Sequence, residues 1–191
     1  VIIADGSVRA DWLALDMLAQ AEHDEMAQAI LISADRMLLD KVQEEIVSKL
    51  EAMPRKKIII ESLANRSALI EVDEIEQAVE ISNRIAPEHL ELALENPNLV
   101  LGLIEHAGAI FLGAGTPEVV GDYTAGPSHV LPTSGTARFG SPLGVYDFLV
   151  KTSIVECSNK GLVSLNRDAR IIATEEGLYA HALSANSRVE K

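Results

Sequence analysis

Val1-Ile2-Ile3-Ala4, followed at once by Asp5-Gly6-Ser7, is the stretch on which the fold turns. Consecutive β-branched apolar residues with no polar alternation, closed by a turn, are what a strand covered on both faces of a parallel sheet looks like. Behind the turn, Trp12, Leu13, Leu15, Met17, Leu18 and Ala19 fall at helical spacing, with Ser7 or Asp11 placed to cap the helix and its end expected near Asp24. The same alternation recurs down the chain. Ala27 to Ser33 reads as a strand and Asp35 to Met53 as a long helix stopped by Pro54. Residues 55–64 read as helix, although Ile58-Ile59-Ile60 also suits a strand; Ala68 to Val72 is a strand and Asp73 to Arg84 a helix. Pro87 is expected to open a short helical stretch at Glu88-His89-Leu90, Pro97 a helix reaching about His106, and Gly108 to Leu112 to form a short strand. Strands alternating with helices predict an α/β layered fold with a mostly parallel sheet flanked by helices.

The segment Gly121 to Pro142 packs glycines, prolines and hydroxyls around Asp122 and His129, and is expected to be a long irregular loop. Loops longer than about a dozen residues inside a compact domain are usually functional or disordered. Few charges and apolar flanks favour an ordered loop that presents Asp122 and His129. After it, Leu143 to Val150, Thr152 to Cys157 and a helical tail from Asn159 onward read as a smaller, different unit.

Composition narrows the function classes. The 191 residues are 48% hydrophobic and 24% charged, as in a globular soluble protein. Sixteen Lys and Arg against 29 Asp and Glu give a net charge of −13, which argues against a nucleic-acid partner. A single Cys157 allows no internal disulfide, in keeping with a cytoplasmic setting, and is expected to be a small apolar residue in a strand from Ser153 to Cys157. No apolar run approaches the ~20 residues of a membrane span.

Five histidines are present. Gln20 and His23 lie three apart and share a helix face; a solvated polar pair is the plain reading of such spacing. Glu88 and His89 are adjacent, a carboxylate beside the side chain best suited to proton transfer near neutral pH, or simply a capped helix start. Glu176 and His181, five apart, do not share the face of one continuous helix but can converge across a bend. Gln20, His23, Asp122 and His181 together offer nitrogen and oxygen donors suited to zinc, scattered too widely to form a motif. Gly113-Ala114-Gly115 begins like a dinucleotide fingerprint, but Glu118 stands where the third glycine belongs, and no cofactor-binding residue is assigned.

Several blocks are more specific than spacing. Leu18-Ala19-Gln20-Ala21-Glu22-His23-Asp24, Arg84-Ile85-Ala86-Pro87-Glu88-His89-Leu90-Glu91-Leu92, Ala107-Gly108-Ala109-Ile110-Phe111-Leu112-Gly113, Gly121-Asp122-Tyr123 through His129 to Phe139, Ser141-Pro142-Leu143-Gly144-Val145 and Glu176-Gly177-Leu178-Tyr179-Ala180-His181-Ala182 resemble, in order, histidinol dehydrogenase. The resemblance implies a cytoplasmic enzyme that oxidises L-histidinol through L-histidinal to L-histidine with two NAD+ and one zinc. It assigns Gln20, His23, Asp122 and His181 to the metal, Glu88 and His89 to catalysis, and His129 and Glu176, with His89 and the metal ligands, to the substrate. His106 is left without a role.

Members of that family are roughly twice as long. The resemblance therefore implies a C-terminal portion: residues 1–142 as the second part of a zinc-bearing, incomplete Rossmann-like α/β domain, and 143–191 as a small α-rich tail domain used in dimerisation. A missing first half would hold the NAD-binding domain and a substrate-contacting serine just before Val1. In the family the tail crosses to the partner subunit of a homodimer and completes its site. Two other readings stand beside this one: a related zinc- and NAD-dependent dehydrogenase of another small polar alcohol such as a sulfonated diol, and a metal-binding fragment that is catalytically silent by itself.

Overall fold

The computed structural model describes residues 1–188 and divides into two units, Val1–Phe148 and Leu149–Lys191. The first unit holds strands β1 (Ile2–Ala4), β2 (Ile30–Ser33), β3 (Ala68–Glu71), β4 (His89–Ala93) and β5 (Ala109–Leu112) in the order β3-β2-β1-β4-β5, every pairing parallel. The opening stretch is thus the central strand, and its run of apolar residues has the expected cause. Ile2 and Ala4 enter one core, and Ile3, wholly buried, enters the other.

Helices α1 (Ala10–Ala21), α2 (Arg36–Leu50) and α3 (Lys56–Arg66) supply Leu13, Met17, Leu38, Val42 and Ile59 to the first core. Helix α4 (Ile75–Ile85) and the short α5 (Asn98–Leu101) supply Ala78, Val79 and Val100 to the second, against Ile3, Ile32, Leu90 and Leu92. Ile58-Ile59-Ile60 is helical because only Ile59 of the three is buried, a one-sided demand that a helix meets. Asp35 caps α2, its carboxylate accepting from the backbone N–H groups of Met37 and Leu38. Helix α1 has no such cap: Arg9 stands at its start, so neither Ser7 nor Asp11 caps it as expected.

Three expectations are corrected here. Glu88-His89-Leu90 is not helical. Ala86 takes a left-handed conformation (φ 53°) that ends α4, Pro87 follows that cap, and His89 begins β4. The helix expected from Pro97 to about His106 is only the four residues of α5. The loop begins one element later than expected: α6 (Glu118–Tyr123) takes in Gly121, Asp122 and Tyr123, and the following residues as far as Pro142 lack regular structure apart from a 3-10 turn at Thr136–Arg138.

In the second unit, residues 149–158 form no strand, and Cys157 is exposed rather than a buried strand residue. A strand there has no neighbour among the described residues with which to complete its hydrogen bonds. Helices α7 (Asn159–Glu175) and α8 (Tyr179–Asn186) form a hairpin that buries Ala173 and Ala182. At its bend Gly177 (φ 74°) donates to Thr174 O at 3.0 Å and Leu178 N–H to Ala173 O at 2.8 Å, a left-handed cap that satisfies the last carbonyls of α7. Among the described residues no helix is long and apolar enough to cross a membrane.

Candidate active site

Side chains alternate along β4, so His89 and Glu91 project to the same face as Ala93, the face covered by α1. Gln20 lies in the last turn of α1, and His23 just past its end, on the turn rather than on the helix. The third contributor is α6, where Glu118 and Asp122, four apart, share a face. Two contacts seat this helix. Buried Glu91 accepts the Glu118 backbone N–H on Oε1 at 2.6 Å, satisfying a free donor of the first turn. Gly121 lies so close to Phe111 of β5 that a Cβ there would meet the ring at 2.6 Å.

His89 is held between the two carboxylates of α6. Its Nδ1 is 3.2 Å from Glu118 Oε1 and its Nε2 3.6 Å from Asp122 Oδ1, while its ring lies 5.9 Å from that of Phe111. Nε2 is buried and has no hydrogen-bond partner. Turned so that its nitrogen faces Glu118, the orientation that sets donor against acceptor, the Gln20 amide donates to Oε1 at 2.8 Å and to Oε2 at 3.3 Å. One ligand atom each of His23, Glu118 and Asp122 falls within 4.8 Å of the others.

Burial dominates the electrostatics. It lowers His89 below the usual imidazole range, against the opposing pull of Asp122, so the ring is neutral and basic near pH 7. Burial, with the charge of Asp122 next, raises Glu88. The same cause pushes Glu118 up to about 7, Glu91 to about 8 and Asp16, farther up α1, to about 6. So many carboxyl groups pushed toward neutrality mark a place built to receive positive charge. Beside the cluster opens a cavity of about 550 Å3, lined by Gln20, Glu88, His89, Ser134 and Arg138 among others. Arg138 holds the loop against α4, its guanidinium donating to Gly135 O at 2.8 Å and to Arg84 O.

Of the residues singled out in the sequence, Gln20, His23, Glu88, His89 and Asp122 therefore meet in one place. His129 lies exposed on the loop. Glu176, the C-cap of α7, and His181, on α8, are exposed residues of the second unit, on either side of the Gly177 bend. Two residues of the cluster escaped sequence reading. Glu118 was noted only as a mismatch to a glycine pattern, though its spacing of four from Asp122 after Pro117 was a usable signal. Glu91 had none, since an acidic residue in a buried strand reads as solvent-facing until its partner is known.

The donor set suits a cation. A histidine nitrogen, carboxylate oxygens and a side-chain amide, without thiolate, fit zinc or a similar borderline divalent ion. Fold and site together define an α/β protein with a histidine–carboxylate cluster suited to proton transfer beside a candidate metal site. Comparison with known proteins narrows that class. The sequence model of the histidinol dehydrogenase family matches residues 1–189, and the chain belongs to that family. It is 58% identical over 191 residues to the histidinol dehydrogenase of Nitrosospira multiformis, covering 100% of this chain and 43% of that protein. With the histidinol dehydrogenase of Pseudomonas fluorescens it shares 54% over 189 residues, 99% of this chain and 43% of the other. A crystal structure of histidinol dehydrogenase from Elizabethkingia anophelis is 34% identical and superimposes with a TM-score of 0.94, over 99% of this chain and 43% of that one. The chain spans less than half the length of these relatives.

Proposed function

We propose that these residues form the metal-bearing part of a cytoplasmic histidinol dehydrogenase, which carries L-histidinol through L-histidinal to L-histidine with two NAD+ as hydride acceptors. The observation that carries the reading is His89 Nε2, a buried, neutral and unpartnered base on the wall of the 550 Å3 cavity. In the first half-reaction Nε2 takes the alcohol proton as hydride leaves the adjacent carbon. The aldehyde so formed must add water before a second hydride can leave. Glu88, raised by burial and by Asp122, takes a proton from that water while His89 returns its proton to the former carbonyl oxygen, and His89, neutral again, takes the hydroxyl proton of the hydrate as the second hydride leaves to NAD+.

Gln20, His23 and Asp122 would hold the zinc, with His181 as a ligand supplied from the tail of a partner subunit and Glu176 and His129 as substrate contacts. A zinc held there would supply Lewis acidity that orients the substrate with its alcohol toward His89. No residue of this chain is assigned to the NAD+. The apolar residues left exposed in the second unit, Val150, Ile154 and Val155 among them, support a homodimer, since such side chains ordinarily find cover.

The test is a chimera in which these 191 residues replace the matching segment of the Nitrosospira multiformis relative. Zinc-dependent reduction of two NAD+ per histidinol is expected. A chimera that folds and binds zinc, yet reduces NAD+ only with another polar alcohol, would refute the assignment.

A further inference from the structure

Resting on the reading of His89 as the base, we propose that Glu118 is a positioning residue that orients two side chains of the site at once, accepting from His89 Nδ1 and from the Gln20 amide so that His89 Nε2 and the Gln20 oxygen face the reaction space.

A neutral imidazole has one N–H and one bare nitrogen, and the hydrogen bond made at one decides the role of the other. At His89 the two sides are unequal: Glu118 Oε1 stands 3.2 Å from Nδ1, the shorter of the two carboxylate contacts, and Asp122 Oδ1 stands 3.6 Å from Nε2. Nε2 is left without any partner, as befits a bare nitrogen waiting for a substrate proton. Gln20 presents the same logic. An amide that turns its nitrogen toward Glu118 turns its oxygen, the atom that binds cations, the other way.

Glu118 is equipped for this. Its backbone is pinned by Glu91 at 2.6 Å, so its place does not depend on the side chains it orients. Both side chains of the Glu118–His89 pair are largely out of water, at 16% and 10% exposure, so solvent screens their contact little. The Gln20 nitrogen and His89 Nδ1 also converge on the same oxygen, Oε1, at 2.8 and 3.2 Å. One carbonyl-type oxygen suffices for both bonds, so a glutamine at 118 retains the orientation and a leucine abolishes it.

The tautomer can be read directly, without substrate or NAD+, by long-range proton–nitrogen NMR on the metal-free 191-residue chain at pH 8, with a His89→Asn sample identifying the signals. Expected is the Nδ1–H form of His89 in the wild type and in Glu118→Gln, passing to Nε2–H in Glu118→Leu. An Nε2–H ring in the wild type overturns the proposal whatever the variants do, as does an unchanged Nδ1–H ring in Glu118→Leu. In the chimera, Glu118→Leu lowers kcat by about 100-fold with little change in KM, while Glu118→Gln keeps both its zinc and most of its rate. Loss of zinc in Glu118→Gln would make Glu118 a direct ligand and refute the positioning role. Because the tautomer is independent of turnover, its failure is distinguishable from a failure of the dehydrogenase reading.

Discussion

His89 and His23 lie in one cluster but touch different partners, and substitution should separate them. His23 shares its surroundings with Glu118 and Asp122 as a candidate ligand, so His23→Ala is expected to lose zinc and rate together, measured by metal analysis and NAD+ reduction in the chimera. His89→Ala is expected to keep its zinc and lose the rate by about 100-fold or more; an emptied metal site in that variant would exchange the two roles. Glu91 gives a test by pH. Its carboxyl is raised from 4.5 to about 8, first by burial. A raised carboxyl favours the folded state below its unfolded pKa, and this contribution is lost as pH rises through the folded one. The wild type therefore loses stability between about pH 4.5 and 8, whereas Glu91→Gln, whose amide oxygen still accepts from Glu118, does not. Urea unfolding at pH 5 and 8.5 should show the variant gaining on the wild type at the higher pH, by on the order of 2 kcal/mol.

At the scale of elements the site depends on the seating of α6. Gly121→Ala places a methyl 2.6 Å from the Phe111 ring, so either the ring or the helix that carries Glu118 and Asp122 must shift. A destabilisation of about 1–3 kcal/mol is expected from overpacking, together with weaker zinc binding by titration; unchanged zinc affinity would show that α6 tolerates the shift. Strand β4 illustrates the limit of local reading. His-Leu-Glu-Leu-Ala is rich in good helix formers, and Pro87 before it imitates a helix start. The sheet overrides that preference, because a strand between β1 and β5 completes hydrogen bonds on both sides. Strand β1 needed no such context, since its apolar run leaves a two-faced buried strand as the natural reading. At Ser153 to Cys157 similar residues lack a sheet to join, and the expected strand does not form.

For the whole molecule, sheet and helices of Val1–Phe148 bring together residues from positions 20 to 122, while Glu176 and His181 belong to the second unit. Since the relatives are more than twice as long, the 191 residues alone are expected to show no NAD+ reduction with histidinol; turnover above background in a purified sample would contradict the need for further chain. By itself the sequence determined the alternation of strands and helices, the parallel sheet and the identity of the family, because these reside in local periodicity and in runs of specific residues. It also singled out Gln20, His23, Glu88, His89 and Asp122. Only the tertiary structure decided that Glu88-His89 stands at the mouth of a strand, that Asp122 rides on a short helix, and that Glu91 and Glu118 belong to the site. An acidic side chain acquires such a role only from what burial brings beside it, and no spacing along the chain records that neighbour.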